Sequence, residues 1–174
     1  ADVLKAMLAT IKGNGLRAVR DRAILAIGMA GAFRRSELAA MQLGDLVFTA
    51  KGVRITIPKS KRDQEALGQG VAIPEGRGIQ PIRLLKAWMS AAALDGADRK
   101  AGEAQQAPLF RRLTRSDGLT DQPMTDKTVA RLVKAGATAA SLDPALYSGH
   151  SLRAGFLTEA ASQRANLFKM KDHS

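Results

Sequence analysis

The stretch "YSGHSLRAG", residues 147 to 155, places His150 three residues before Arg153. On a helix that spacing puts both side chains on one face, at an N-terminal end where backbone N–H groups and the helix dipole already favour an anion. Histidine moves a proton near neutral pH and arginine bridges two phosphate oxygens, so the pair suits phosphoryl transfer. A metal site fits less well, because the chain has only two histidines and no cysteine, and no paired carboxylates stand beside His150. For this segment alone, a capping histidine with a surface arginine is the competing reading.

Two upstream segments could serve the same chemistry. In "GAFRRSELAAM", Arg34 and Arg35 stand at a turn leading into a helix, and Glu37 follows Arg34 closely enough to brace its guanidinium. In "IPKSKRDQ", Lys59, Lys61 and Arg62 occupy a polar turn between two strands, where a lysine can lean over a bound phosphodiester. Taken singly, arginines at a helix start are usually solvated, and three cations in a turn are usually a charged hairpin tip.

The elements that must position these residues can be read from periodicity. In "LRAVRDRAILAIGMAGA" the apolar residues Leu16, Val19, Ile24, Ile27 and Met29 recur at helical spacing, and Gly31 is placed to end the helix. A short helix is expected through "RSELAAMQL". After Gly44 the pattern changes, and "DLVF", "GVRITIP" and "GVAIP" predict three short strands of a small antiparallel sheet. "IQPIRLLKAWMSAAAL" predicts a helix with Pro81 in its first turn and Leu84, Leu85 and Trp88 on one face. The polar stretch "DGADRKAGEAQQAP" reads as an exposed loop. Thr125 is placed to cap a further helix, whose Val129, Leu132, Val133 and Gly136 share a face that packs closely at the glycine. "LDP" stops that helix, and a last one starts at about His150. The expected fold class is mainly α with a small three-stranded antiparallel sheet (α+β), in one domain without internal repeats.

Composition narrows the partner. With 174 residues the chain can bury a real core. Absence of cysteine excludes a disulfide scaffold and thiolate chemistry, and fits a reducing compartment. No run approaches the roughly 18 apolar residues that a membrane helix needs. "ADVLKAMLAT" lacks the form of a signal peptide. These features predict a soluble cytoplasmic protein. Its 27 Lys and Arg against 16 Asp and Glu leave a formal charge of +11, a field that favours a polyanion, and nucleic acid is the commonest one inside cells. Only 4% of residues are aromatic, which favours phosphate contacts to duplex DNA over base stacking. Arg35, Lys59, Arg62, Arg111 and Arg112 are the expected DNA contacts, the last two from the basic segment "RRLTR". A solvated basic surface with no partner is the bland alternative.

In order, "AFRRSEL", "PKSKRD" and "GHSLRAG" resemble the catalytic domain of the tyrosine recombinases, the phage integrase family, whose pattern runs "G-L-R-x-S-E-L", a lysine between the second and third strands, and "H-x-L-R" at a later helix start. The resemblance extends from about Asp21 to the end of the chain, and it implies the DNA breaking-rejoining fold. It implies that Arg34 and Arg153 hold the scissile phosphate, that Lys61 protonates the departing 5′ oxygen, that His150 assists proton transfer and that Glu37 supports the site. A tyrosine would attack phosphorus to give a 3′-phosphotyrosyl link, with no metal or other cofactor, on double-stranded DNA. The intact protein would act as a tetramer on DNA, in association with the nucleoid, and the isolated fragment would be a monomer.

The sequence departs from the family pattern in two ways. Tyr147, the only tyrosine, precedes the histidine motif instead of following it, so a packing role is expected. His173 lies slightly ahead of the family's second histidine. The chain is therefore expected to be a truncated catalytic domain that binds DNA weakly and does not cut it, without the nucleophile segment or the N-terminal clamping domain. Two alternatives stay open: a binding-only relative without a nucleophile, and a helical DNA-binding regulator whose helix from His150 reads the major groove.

Overall fold

The computed structural model describes residues 2–57, 69–76, 78–94 and 105–147. Helix α1 (Asp2–Thr10), which is additional to the elements expected from the sequence, buries Leu4 and Met7. Helix α2 (Leu16–Ala30) is the centre of the molecule, for every residue from Ala23 to Met29 is buried. Its N-cap, Gly15, has no side chain to offer. Asp117 fills the role from far along the chain, its Oδ1 accepting the Arg17 N–H at 2.9 Å. Helix α3 (Arg35–Ala40) follows after a tight turn.

The expected sheet forms where the alternation places it. Strands β1 (Leu46–Thr49), β2 (Gly52–Ile57) and β3 (Gln69–Pro74) lie in that order, antiparallel, with Leu46 opposite Ile55 and Val53 opposite Ile73. Val53, Ile55 and Ile73 are the inward face, and Arg54 and Thr56 point outward. Helix α4 (Pro81–Ala91) opens with Pro81 and buries Ile82, Leu85 and Trp88. Leu84, expected on that face, is half-buried. The Trp88 indole N–H donates to the Leu109 carbonyl at 2.8 Å, which satisfies its one polar atom inside the core.

A second sheet is new: β4 (Arg111–Leu113) and β5 (Leu119–Pro123) form an antiparallel hairpin. Its alternation corrects one expectation. Arg111 and Leu113 face inward and Arg112 faces out, so Arg111 is only 4% exposed and pairs with Asp121 at 2.9 Å. A guanidinium held there is a structural ion pair, and of the two arginines only Arg112 is exposed.

Helix α5 (Asp126–Ala139) is capped as expected, Thr125 Oγ1 accepting the Thr128 N–H. Val129, Val133, Gly136 and Ala137 are buried, and Leu132 is half-buried. A Cβ at Gly136 would stand 2.9 Å from Met7 Cε, the end of a flexible side chain, so α1 and α5 approach closely at the glycine. Beyond "LDP" a single 3₁₀ turn (Pro144–Tyr147) packs Tyr147 against the core. Among the described residues no helix is long and apolar enough to cross a membrane.

Buried Arg20 joins α2 to the second sheet. Its Nε and Nη2 donate to Asp21 Oδ1, and its Nη1 donates to the Arg111 carbonyl at 3.1 Å, tying α2 to β4. Burial outweighs the neighbouring Arg20 guanidinium and raises the Asp21 carboxyl above the ordinary aspartate range. A folded value above the unfolded one means that the folded state holds the proton more tightly. Asp21 therefore favours folding most below its unfolded value, and that contribution is lost as pH rises through the folded value. The stability of the native chain relative to Asp21→Asn should accordingly decrease as pH rises above the ordinary aspartate range. Urea unfolding of both proteins over that rise in pH measures it; a relative stability that increases with pH would mean that the Arg20 charge dominates.

Candidate functional site

The turn that delivers Arg34 is built on three backbone bonds at the end of α2. The N–H groups of Gly31, Ala32 and Phe33 donate to the carbonyls of Ile27, Met29 and Gly28 respectively. Phe33 and Leu38, both fully buried, occupy the positions flanking the start of α3 that form a hydrophobic staple. Between them the chain is pinned and Arg34 is pushed outward, its side chain 56% exposed.

Glu37 holds Arg34 twice. The Arg34 backbone N–H donates to Oε2 at 2.7 Å and its Nη1 donates to Oε1 at 2.8 Å, with Glu37 itself only 15% exposed. One carboxylate thus caps the helix and orients the guanidinium, as the spacing in "RRSEL" led one to expect. The rest of the guanidinium is open to solvent, and its planar fork of donors suits two oxygens of one phosphate.

Arg35 turns the other way. Its Nε lies 3.3 Å from Asp126 Oδ2, at the first residue of α5, with both side chains partly exposed. A second cationic feature, not anticipated from the sequence, lies on α5 itself: Lys127, Arg131 and Lys134 are exposed at positions i, i+4 and i+7. They form one ridge along the helix, and none of them has an acidic partner among the described residues. The signal was present in "DKTVARLVKAG", where the cations fall in the gaps of the apolar pattern. The other expected residues, Lys59, Lys61, Arg62, His150 and Arg153, lie outside the described residues, as does His173. Of the expected constellation the structure therefore brings together Arg34 and Glu37. Among the described residues no group of three or more His, Cys, Asp or Glu is placed to hold a metal ion.

With this geometry established, the comparison with known proteins is decisive on one point. The model of the phage integrase family matches residues 1–173. The chain belongs to that family. It is 42% identical over 148 residues to an integrase/recombinase xerD homolog of Selenomonas ruminantium, covering 84% of this chain and 40% of that protein. It is 31% identical over 165 residues to the tyrosine recombinase XerD of Xanthomonas axonopodis pv. citri (strain 306), covering 94% and 49% respectively. The chain thus spans under half the length of these curated relatives. Solved structures share the fold. The XerH site-specific recombinase in its post-cleavage complex with a palindromic difH substrate superposes with a TM-score of 0.69 at 18% identity, over 96% of this chain and 42% of that one. The lambda integrase catalytic core gives a TM-score of 0.57 at 17% identity, over 94% and 82%.

Within this family the turn before Arg34 has a local peculiarity. The pattern "G-L-R-x-S-E-L" puts glycine where this chain has Ala32, and Ala32 sits at φ 50°, in the left-handed region that glycine enters without strain. In this turn alanine carries the strain of a left-handed backbone.

Proposed function

We propose that the full-length gene product is a tyrosine-type site-specific DNA recombinase, and that these 174 residues belong to its catalytic domain. The observation that carries the reading is the exposed Arg34, gripped at backbone and side chain by Glu37, in a chain of the phage integrase family. In this reading Arg34 and Arg153 bind the non-bridging oxygens of one phosphate and stabilise the charge that grows on them. A tyrosine oxygen attacks phosphorus, the bond to the 5′ oxygen breaks, and a 3′-phosphotyrosyl link preserves the phosphoester for rejoining. Lys61 gives its proton to the departing 5′ oxygen, and His150 handles the proton of the attacking hydroxyl. Charge for the transition state comes from side chains, so the scheme needs no cofactor.

Duplex DNA is the substrate, met through its phosphates by Arg112, by the α5 ridge, and by Lys59 and Arg62. The XerH relative is described bound to its difH substrate both before and after cleavage, which supports the choice of DNA. The working form is a tetramer on DNA, in the cytoplasm with the nucleoid.

The test is covalent capture. Nicked duplexes tiled across the DNA around the gene are incubated with the full-length gene product and resolved by denaturing electrophoresis. A protein–DNA adduct is expected, and it should persist in Tyr147→Phe, because Tyr147 is packed against the core. Loss of the adduct in that variant would make Tyr147 the nucleophile. Retarded DNA with no adduct on any duplex would leave a binding protein.

A further inference from the structure

We infer that Asp126, acting through Arg35, is a positioning residue for Arg34; the inference rests on the reading that Arg34 binds the scissile phosphate. Helix α3 is short. Six residues make too few internal hydrogen bonds for the helix to hold itself in place, so its orientation is set by what ties it to its surroundings. Glu37 is not such a tie. Both of its oxygens are spent on Arg34, so the two residues are fixed to each other and would move together.

Two anchors remain. One is apolar, the burial of Phe33 and Leu38. The other is Arg35 Nε to Asp126 Oδ2, and among the described residues it is the only polar bond between α3 and α5. Asp126 is a firm point of attachment, because it starts a helix capped by Thr125 and rooted in the core through Val129, Val133 and Ala137. Beside this ion pair an open groove of about 440 Å³ runs along α3, bordered by Ser36, Ala40, Pro108, Met124 and Asp126. Packing therefore does not fill the space under the exposed flank of α3. The ion pair adds a tie between that flank, and with it the Arg34–Glu37 unit, and α5. A shift of about 1 Å in a group that must meet a transition state is enough to slow a reaction substantially.

The same bond has an electrostatic side. Asp126 neutralises a cation that is adjacent in sequence to Arg34, and so keeps Arg35 from competing for the phosphate. Losing Asp126 should then slow cleavage without loosening DNA.

The experiment uses the full-length gene product and a duplex on which it forms the covalent adduct, with single-turnover cleavage and equilibrium binding measured separately. Asp126→Asn should cleave about 5- to 30-fold more slowly, with binding unchanged or slightly tighter and an unfolding midpoint only slightly lowered. Asp126→Glu should recover most of the rate. Arg35→Gln should fall by a similar factor, and the double variant should fall no further, as two residues acting through one bond require. Wild-type rates in Asp126→Asn overturn the inference. So does an Arg35→Gln variant that loses binding and multiplies with Asp126→Asn, since Arg35 would then be a DNA contact in its own right. Arg34→Ala separates the two levels: if it cleaves like the wild type, the reading of Arg34 has failed and the inference with it. If it is crippled while Asp126→Asn is normal, only the inference has failed.

Discussion

Arg34→Ala in the full-length gene product should slow strand cleavage by at least about 10²-fold, the usual consequence of removing one preorganised donor from a developing oxyanion. The structure gives the reason for so large an effect. Arg34 is presented by a turn whose three backbone bonds, buried Phe33 and doubly bonded Glu37 leave its base little freedom, so its positive charge is in place before the reaction begins. Nothing has to be reorganised when negative charge accumulates on the phosphate. Affinity for duplex should fall far less. Binding to a polyanion is shared among many cations, and on this chain alone Arg112 and the Lys127, Arg131 and Lys134 ridge remain exposed. Single-turnover cleavage and equilibrium binding at fixed salt distinguish the two effects. Equal losses in both would make Arg34 one phosphate contact among many. Arg34→Lys should recover only part of the rate, because an ammonium supplies charge without the planar fork.

How much of this was legible beforehand depended on the range of the forces involved. Local patterns were enough for the ends of α2, for the start of α4, for three strands marked by alternation, for the Thr125 cap and for the bond between Arg34 and Glu37. Each of these is decided within a few residues. Arg111 shows where that reading fails. Beside Arg112 it looked like half of a basic patch, but in a strand neighbouring residues face opposite ways, and the three residues of β4 are too few to announce a strand. Its partner Asp121 comes from the other arm of the hairpin. Asp117 capping α2, Arg20 reaching the Arg111 carbonyl and Arg35 meeting Asp126 are of the same kind. Each joins groups that only the folded chain brings near one another. The α5 cations were legible in principle, since they occupy the helix face that the buried residues leave over. The family pattern also gained a physical meaning in the structure. Ala32, which stands where that pattern has glycine two residues before the arginine, adopts the left-handed conformation that glycine enters without strain.

Adjacent substitutions in that turn should act in opposite directions. Gly31→Ala should destabilise the domain by about 2 kcal/mol or more, although glycine to alanine at a helix end often stabilises by about 0.4–1 kcal/mol through the unfolded chain. The backbone is not the obstacle, because Gly31 has φ −95°, which alanine adopts readily. The obstacle is the Phe33 ring. A Cβ on residue 31 would overlap Cε2 of that ring and stand 2.7 Å from both Cδ2 and Cζ. Phe33 is fully buried, so its ring cannot swing aside into solvent, and the strain must go into the core or into the turn that carries Arg34. Ala32→Gly, one residue on, removes left-handed strain and should be neutral or stabilising by up to about 1 kcal/mol. Urea unfolding of the two variants measures the contrast. Phe33→Leu supplies the control, since a smaller side chain vacates the space: in that background Gly31→Ala should cost markedly less. If Gly31→Ala is as stable as the native chain, the ring does not lie where it has been placed. If Gly31→Ala costs the same with leucine at 33, the loss comes from somewhere other than the ring.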